Sequence, residues 1–382
     1  MNKSDSERLA SILEKTGYKP VRANSFAEAL AKADLIVVNM CSVRQSAVDR
    51  VYGLWPKFKE LKARKPKLKT ILTGCILKKD KKKFGDYNPP SASSQPSVGP
   101  LFDSIWNLRN YFDTPPKCKN KFLAFVPISN GCNNFCTYCV VPYTRGNLIC
   151  RPHQQILKEV KSLVQKGFKE IWLLGQNVND YQSPSPAHSG AKVKKNGAKK
   201  SFSSFVSSST RRTKFSSLTD PKINFAKLLK MVNNISGDFK ILFTSPNPKD
   251  FSKELINALA ECEKFGKYLN LPVQSGDDEI LKKMNRSYTV KEYKNLVKEI
   301  RKKVPAIRLS TDVIVGFPGE TKKQFEETVK LFKEIKFDNA YISKYSPRPE
   351  TAAFNKMKDN IPLAKKKRRE KKLREIIAKN VQ

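Results

Sequence analysis

The chain has 382 residues, 39% of them hydrophobic, which is enough for two or three domains with sizeable cores. Its 74 lysines and arginines against 35 acidic residues give a net charge of +39. That surplus fits a polyanionic partner or a lysine-rich solvated surface, and composition alone does not choose. No signal peptide and no apolar run of membrane-spanning length is visible, and the eight cysteines cluster too unevenly for a disulfide framework. A reduced, cytoplasmic setting without a membrane is therefore expected.

Residues 1–112 read as a small open parallel α/β domain. Leu9, Ile12 and Leu13 recur at helical spacing within Asp5–Tyr18. The apolar run Asp34–Asn39 is a strand that ends at Met40-Cys41-Ser42-Val43-Arg44, and a helix over Gln45–Ala63 follows. The next strand, Lys69–Thr73, ends at Gly74-Cys75. Cys41 and Cys75 thus both follow the carboxyl ends of parallel strands, the edge along which open α/β sheets place their sites. They can meet in space there, or be two ordinary partly buried thiols; position alone leaves both open. Asn88–Pro100 turns to proline and serine and reads as a linker, and Cys118 has no partner at motif spacing.

Residues 113–350 alternate strands and helices. Strands are expected at Phe122–Ile128, Glu170–Leu174, Phe239–Phe243, Tyr268–Leu271, Ile307–Val315 and Ala340–Tyr345, with amphipathic helices between them. Six βα repeats are too few for the closed eight-fold barrel, so an open (β/α)6 partial TIM barrel is expected, with its site in the loops at the strand carboxyl ends. Residues 181–220 break the pattern with serine, lysine, glycine and alanine and are expected as a disordered surface insertion. Residues 351–382 form a basic tail with a helix over Ala364–Ile377, suited to a phosphate backbone.

The chemistry concentrates in Gly131-Cys132-Asn133-Asn134-Phe135-Cys136-Thr137-Tyr138-Cys139, just past the first barrel strand. Cys132, Cys136 and Cys139 stand at C-x3-C-x2-C, a spacing that lets three thiolates take three irons of a cubane 4Fe–4S cluster and leave the fourth iron open. A structural zinc site would want four closed ligands, and the chain has only two histidines, His153 and His188. Tyr138 can exclude water beside a cluster or pack as a core aromatic. Gly316-Phe317-Pro318-Gly319-Glu320 joins a strand to a helix, and its glycines permit close approach of a ligand to the backbone. Arg145, Arg151 and Arg348 are candidate phosphate contacts, because guanidinium forks suit phosphate geometry.

The loop and its continuation through Val140-Val141-Pro142-Tyr143-Thr144-Arg145-Gly146 resemble the radical S-adenosylmethionine (SAM) methylthiotransferases, the tRNA-modifying MiaB type in particular. The resemblance covers nearly the whole chain. It implies that the open iron chelates SAM, that an electron from this cluster cleaves SAM to a deoxyadenosyl radical, and that the radical attacks C2 of an isopentenylated adenosine beside the anticodon. Sulfur would come from a second 4Fe–4S cluster and the methyl group from another SAM. It assigns Tyr138, Gly175, Gln176, Asn177, Gln274, Ser275, Gly316, Gly319 and Glu320 to SAM, with no catalytic residues beyond the cluster ligands. It also implies a tRNA substrate, an electron donor such as flavodoxin or ferredoxin, and a monomer.

Several departures qualify the resemblance. The second cluster rests on three cysteines in the family, of which Cys41 and Cys75 match two. The family's first cysteine precedes a stretch like Met1-Asn2-Lys3-Ser4-Asp5-Ser6-Glu7, so the domain reads as truncated at its start and one ligand short. No counterpart of the family's carboxyl-terminal TRAM barrel is expected within these 382 residues. Cys150 replaces a common serine, and Asn247 and Asn270 replace common histidines. Within the family, relatives that act on threonylcarbamoyladenosine or on a ribosomal-protein aspartate are alternatives. Outside it, the alternative is a non-catalytic basic RNA-binding protein with an incomplete cluster site.

Overall fold

The structure, a computed structural model, describes residues 2–21, 25–85, 102–106, 112, 114–118, 122–184 and 223–380. The linker expected over Asn88–Pro100 and nearly all of the insertion expected at 181–220 lie outside these residues. The described residues form two compact units: the first runs to Cys118 and includes Tyr143–Arg145, and the second holds the remainder.

The first unit begins with α1 (Asn2–Lys15) and α2 (Phe26–Lys32), then β1 (Leu35–Cys41), α3 (Gln45–Tyr52), α4 (Trp55–Arg64), β2 (Lys69–Cys75), α5 (Lys78–Gly85) and β3 (Ser104–Ile105). The strands make one parallel sheet in the order β1-β2-β3. Met40, Val48, Phe58, Leu72, Phe84 and Phe102 form its core. The single helix expected over Gln45–Ala63 is two helices, because the chain turns at Gly53 and Leu54 and Pro56 enters the first turn of α4. Proline is tolerated there, where no intrahelical partner for its missing N–H is needed. Asp103 ties β3 to β2: its carboxylate accepts from the Thr70 amide at 2.6 Å and hydroxyl at 3.0 Å.

The second unit opens with β4 (Leu123–Pro127), β5 (Ser129–Asn130), α6 (Val141–Thr144, whose last two residues belong to the first unit), β6 (Ile149–Cys150), α7 (His153–Gln165) and β7 (Glu170–Leu174). It continues through α8 (Phe225–Asn233), β8 (Lys240–Phe243), α9 (Lys253–Glu261), β9 (Tyr268–Asn270), α10 (Asp278–Lys283), α11 (Val290–Lys303), β10 (Arg308–Val315), α12 (Lys322–Ile335) and β11 (Asn339–Lys344). It closes with α13 (Ala352–Lys356) and α14 (Leu363–Asn380). Strands β4-β7-β8 and β9-β10-β11 are each parallel, and a parallel bridge between Ile241 and Phe265 joins the two sets. The six strands therefore follow one another in chain order, which is the open (β/α)6 arrangement.

Amphipathic helices cover this sheet; α12 buries Phe325, Val329, Phe332 and Ile335 at intervals of three and four. Capping boxes, Thr289 with Glu292 and Thr321 with Gln324, start α11 and α12. A Cβ at Gly276 would lie 2.5 Å from the Cα of Thr328, so this glycine sets how closely α12 packs. The basic tail also differs from expectation. In α14, Lys366, Arg369 and Leu373 form a buried stripe against the second unit, and only the opposite face is open. Among the described residues no helix is long and apolar enough to cross a membrane.

Candidate functional site

The three-cysteine loop is held from two sides within the second unit. Gly131 has φ +83, and a Cβ there would sit 2.2 Å from the Asn147 carbonyl, so glycine alone fits. The Gly131 amide donates to Oε1 of Gln176 at 2.6 Å, and the Cys132 amide donates to the Gly146 carbonyl at 3.2 Å. On the other side, Nδ2 of Asn285 donates to the carbonyls of Asn134 and Phe135 at 3.2 and 3.1 Å. The Thr137 amide donates to the Met284 carbonyl at 3.1 Å, and the Ala353 amide donates to that of Thr137 at 2.8 Å. Asn285 can do this because it adopts φ +56, a conformation asparagine tolerates as it ends α10.

Cys132, Cys136 and Cys139 are free and partly buried. Burial pushes the Cys139 thiol up to about 12, with the charges of Cys136 and Cys132 adding to it. Burial likewise raises Cys132, and Cys136 adds to it. Three soft donors that repel one another as thiolates, crowded in a half-buried loop, suit a cationic iron–sulfur core that takes up their charge. Among the described residues no three His, Cys, Asp or Glu side chains converge as they would on a single metal ion. Thiolates on separate irons of a cubane need no such convergence. Tyr138 packs against Ile280, Met284, Phe317, Tyr345 and Ala353, an apolar wall beside the loop.

The strand ends around the loop carry buried polar atoms without partners: Oγ of Ser129, Nε2 of Gln176, Oδ1 of Asn177, Oε1 of Gln274 and the hydroxyl of Tyr345. Each such atom costs about 1–3 kcal/mol unless a ligand satisfies it. A ligand bearing amino, carboxylate and hydroxyl groups would do so, and SAM bears all three. Ser275 behaves differently, its Oγ accepting from the Asp277 amide at 3.3 Å as the chain enters α10. Gly175 packs tightly, with its absent Cβ 2.6 Å from Oγ of Ser129.

In the Gly316–Glu320 turn the two glycines have different surroundings. The space on the Cβ side of Gly316 is filled by the Lys366 stem, 2.4 Å from where a Cβ would be. Gly319, with φ +77, is open apart from Nζ of Lys283 at 3.6 Å. Glu320 is buried; its carboxylate accepts from the Gly316 amide at 2.6 Å and pairs with Arg369, so it braces the turn.

In the first unit, Cys41 lies directly opposite Cys75 in the β1–β2 register. Arg145 ties this sheet edge to α1: its Nε donates to Sγ of Cys75 at 3.0 Å, and its Nη2 donates to Oδ2 of Asp5 at 2.6 Å and Oδ1 of Asn2 at 3.2 Å. Burial raises the Cys75 thiol, and the Arg145 charge opposes that shift. The described residues of this unit bring two thiols together; a third ligand for a cubane would have to come from elsewhere. The three arginines expected on phosphate do not offer exposed guanidinium forks. Arg145 is buried on Asp5, Arg151 on Glu159 at 2.6 Å, and Arg348 is 1% exposed.

Comparison with known proteins extends this geometry. Residues 126–332 match the radical SAM superfamily, and residues 1–93 match the uncharacterized protein family UPF0004. A tRNA-2-methylthio-N(6)-dimethylallyladenosine synthase of Clostridium novyi (strain NT) is 39% identical over 396 residues, 99% of this chain and 78% of that protein. One from Thermoanaerobacter sp. (strain X514) is 39% identical over 398 residues, 98% of this chain and 75% of that protein. The chain belongs to the radical SAM methylthiotransferase family. It is thus an enzyme that uses an iron–sulfur cluster and SAM. Among solved structures, the radical SAM methyltransferase TsrM from Kitasatospora setae, with cobalamin and a 4Fe–4S cluster bound, is 15% identical with a TM-score of 0.55. It is matched over 91% of this chain and 73% of its own, a likeness of fold alone.

Two contributors to this methylthiotransferase site escape sequence reading, Asn285 and Arg286. Their loop partners lie some 150 residues earlier in the chain. The one local sign is an asparagine ending a helix, a common cap that by itself names no site.

Proposed function

We propose that this methylthiotransferase acts on tRNA in the cytoplasm, adding a methylthio group to C2 of N(6)-isopentenyladenosine next to the anticodon. The supporting observation is the near-full-length identity, 37–39%, to synthases named for that product. Cys132, Cys136 and Cys139 would hold the SAM-binding cluster, which when bound supplies one-electron reductive cleavage of SAM. The unpartnered polar atoms of Gln176, Asn177, Gln274 and Tyr345 bind and orient the polar groups of SAM. Tyr138 and Phe317 keep water from the reacting end. The opposed Cys41 and Cys75 are the proposed seat of the second cluster. Flavodoxin or ferredoxin supplies the electron, and the enzyme acts as a monomer.

Nucleoside mass spectrometry of tRNA from a deletion strain tests this. The expected result is isopentenyladenosine without its methylthio group, restored by the wild-type gene and not by Cys136→Ala. If the missing modification falls instead on threonylcarbamoyladenosine or a ribosomal-protein aspartate, the substrate assignment is overturned. Full restoration by Cys136→Ala would make the chain a binding protein.

A further inference from the structure

Arg286 stands two residues beyond Met284, in the turn that grips the cluster loop. Its Nη1 donates to Sγ of Cys136 at 3.4 Å, its Nε to the Tyr288 hydroxyl at 3.0 Å and its Nη2 to the Pro272 carbonyl at 3.5 Å. The guanidinium also lies 5.1 Å from the centre of the Tyr288 ring. The Tyr288 hydroxyl donates to the Val273 carbonyl at 2.9 Å, which marks it as a neutral phenol.

Three buried arginines of this chain make the contrast. Arg145 pairs with Asp5, Arg151 with Glu159 and Arg369 with Glu320. Among the described residues no carboxylate pairs with Arg286. Arg286 is half-buried, and a partly desolvated cation with an N–H on a thiol sulfur and no carboxylate beside it suits an anion that the bare chain does not carry. The sulfur of Cys136 marks where that anion sits.

We propose that Arg286 is the counter-cation of the SAM-binding cluster and sets its reduction potential. The inference rests on the reading of Cys132, Cys136 and Cys139 as ligands. An oxidised cubane on three thiolates carries about one net negative charge, and taking one electron from the donor raises this to about two. A fixed positive charge with an N–H aimed at a ligand sulfur stabilises the more negative state, so the potential rises. The neutral amide of Asn134, 3.7 Å from Sγ of Cys132, is a weaker contact of the same kind. Arg286 is held for this purpose by its neighbour Asn285, which is bonded to the loop itself. It is a positioning and tuning residue rather than one that touches the reacting atoms.

The test is an EPR-monitored potentiometric titration of the full chain, reconstituted anaerobically without SAM. It is run in a Cys41→Ala, Cys75→Ala background so that one cluster is read. Arg286→Gln is expected to keep its iron and to lower the reduction equilibrium at least tenfold, a midpoint about 59 mV more negative. Arg286→Lys keeps the charge but not the fork, and shifts less. A glutamine variant with full iron and an unchanged midpoint overturns the proposal. If that variant loses iron, the equally uncharged Arg286→Met decides: a midpoint equal to wild type overturns the proposal, a negative shift sustains it. Loss of iron from both would make Arg286 a holder of the cluster and would also overturn it. If the Arg286 parent holds no cubane at all, the ligand assignment has failed instead.

Discussion

Gly131 carries more of this site than its size suggests, since the cluster loop turns back on itself where a methyl group would strike the Asn147 carbonyl. Gly131→Ala is expected to lose most of its bound iron, measured by anaerobic iron and sulfide analysis. Gly167→Ala is the control: its φ is +86 but nothing lies within 4 Å of the new methyl. It should keep its iron and lose about 1–2 kcal/mol of stability to backbone strain. At this scale the loop with the three cysteines was legible because they lie close together in sequence, whereas what they hold is the proposal that iron analysis tests. The arginines were not. Guanidinium chemistry pointed Arg145 at phosphate, but its partners Cys75 and Asp5 lie about 70 and 140 residues away in sequence, and composition does not encode burial.

The helix α14 shows the same limit for a whole element. Its lysines and arginines read as a basic helix suited to a phosphate backbone, yet Lys366 and Arg369, three residues apart, turn inward, where Arg369 meets Glu320. Removing one partner of a buried pair leaves a charge stranded, so Arg369→Ala should cost about 3–5 kcal/mol in chemical denaturation. Glu320→Gln combined with Arg369→Met should cost less, because no charge is then left unpaired. In the first unit, burial alone would raise the Asp103 carboxyl, but Lys62 and two bonds from Thr70 outweigh it and hold the group below its usual range. A depressed carboxylate stabilises the fold above its unfolded value and loses that contribution as pH falls through the folded one. Stability of wild type should therefore fall more steeply than that of Asp103→Asn as pH drops below about 4. The six barrel strands and their helices were legible, since apolar runs and helical spacing mark them independently of partners. The break between α3 and α4 was also written in Gly53 and Pro56, which the single expected helix passed over.

For the whole molecule, a net charge of +39 would make the proposed tRNA binding an electrostatic matter first. Affinity should fall linearly on a log–log plot against salt, measured by filter binding or anisotropy. Lys365, Lys367 and Arg368 lie on the open face of α14. Replacing them with alanine should lower that slope by about one for each phosphate that is no longer neutralised. Beneath this surface, the proposed chemistry rests on Cys132, Cys136 and Cys139 as ligands of a cluster with one open iron. The most direct measurement is EPR of the reduced, anaerobically reconstituted enzyme with and without SAM. The spectrum should change on SAM addition, and Cys132→Ala, Cys136→Ala and Cys139→Ala together should remove about four irons per chain and abolish the change. A colourless preparation loaded with zinc, or a cluster spectrum indifferent to SAM, would contradict the account.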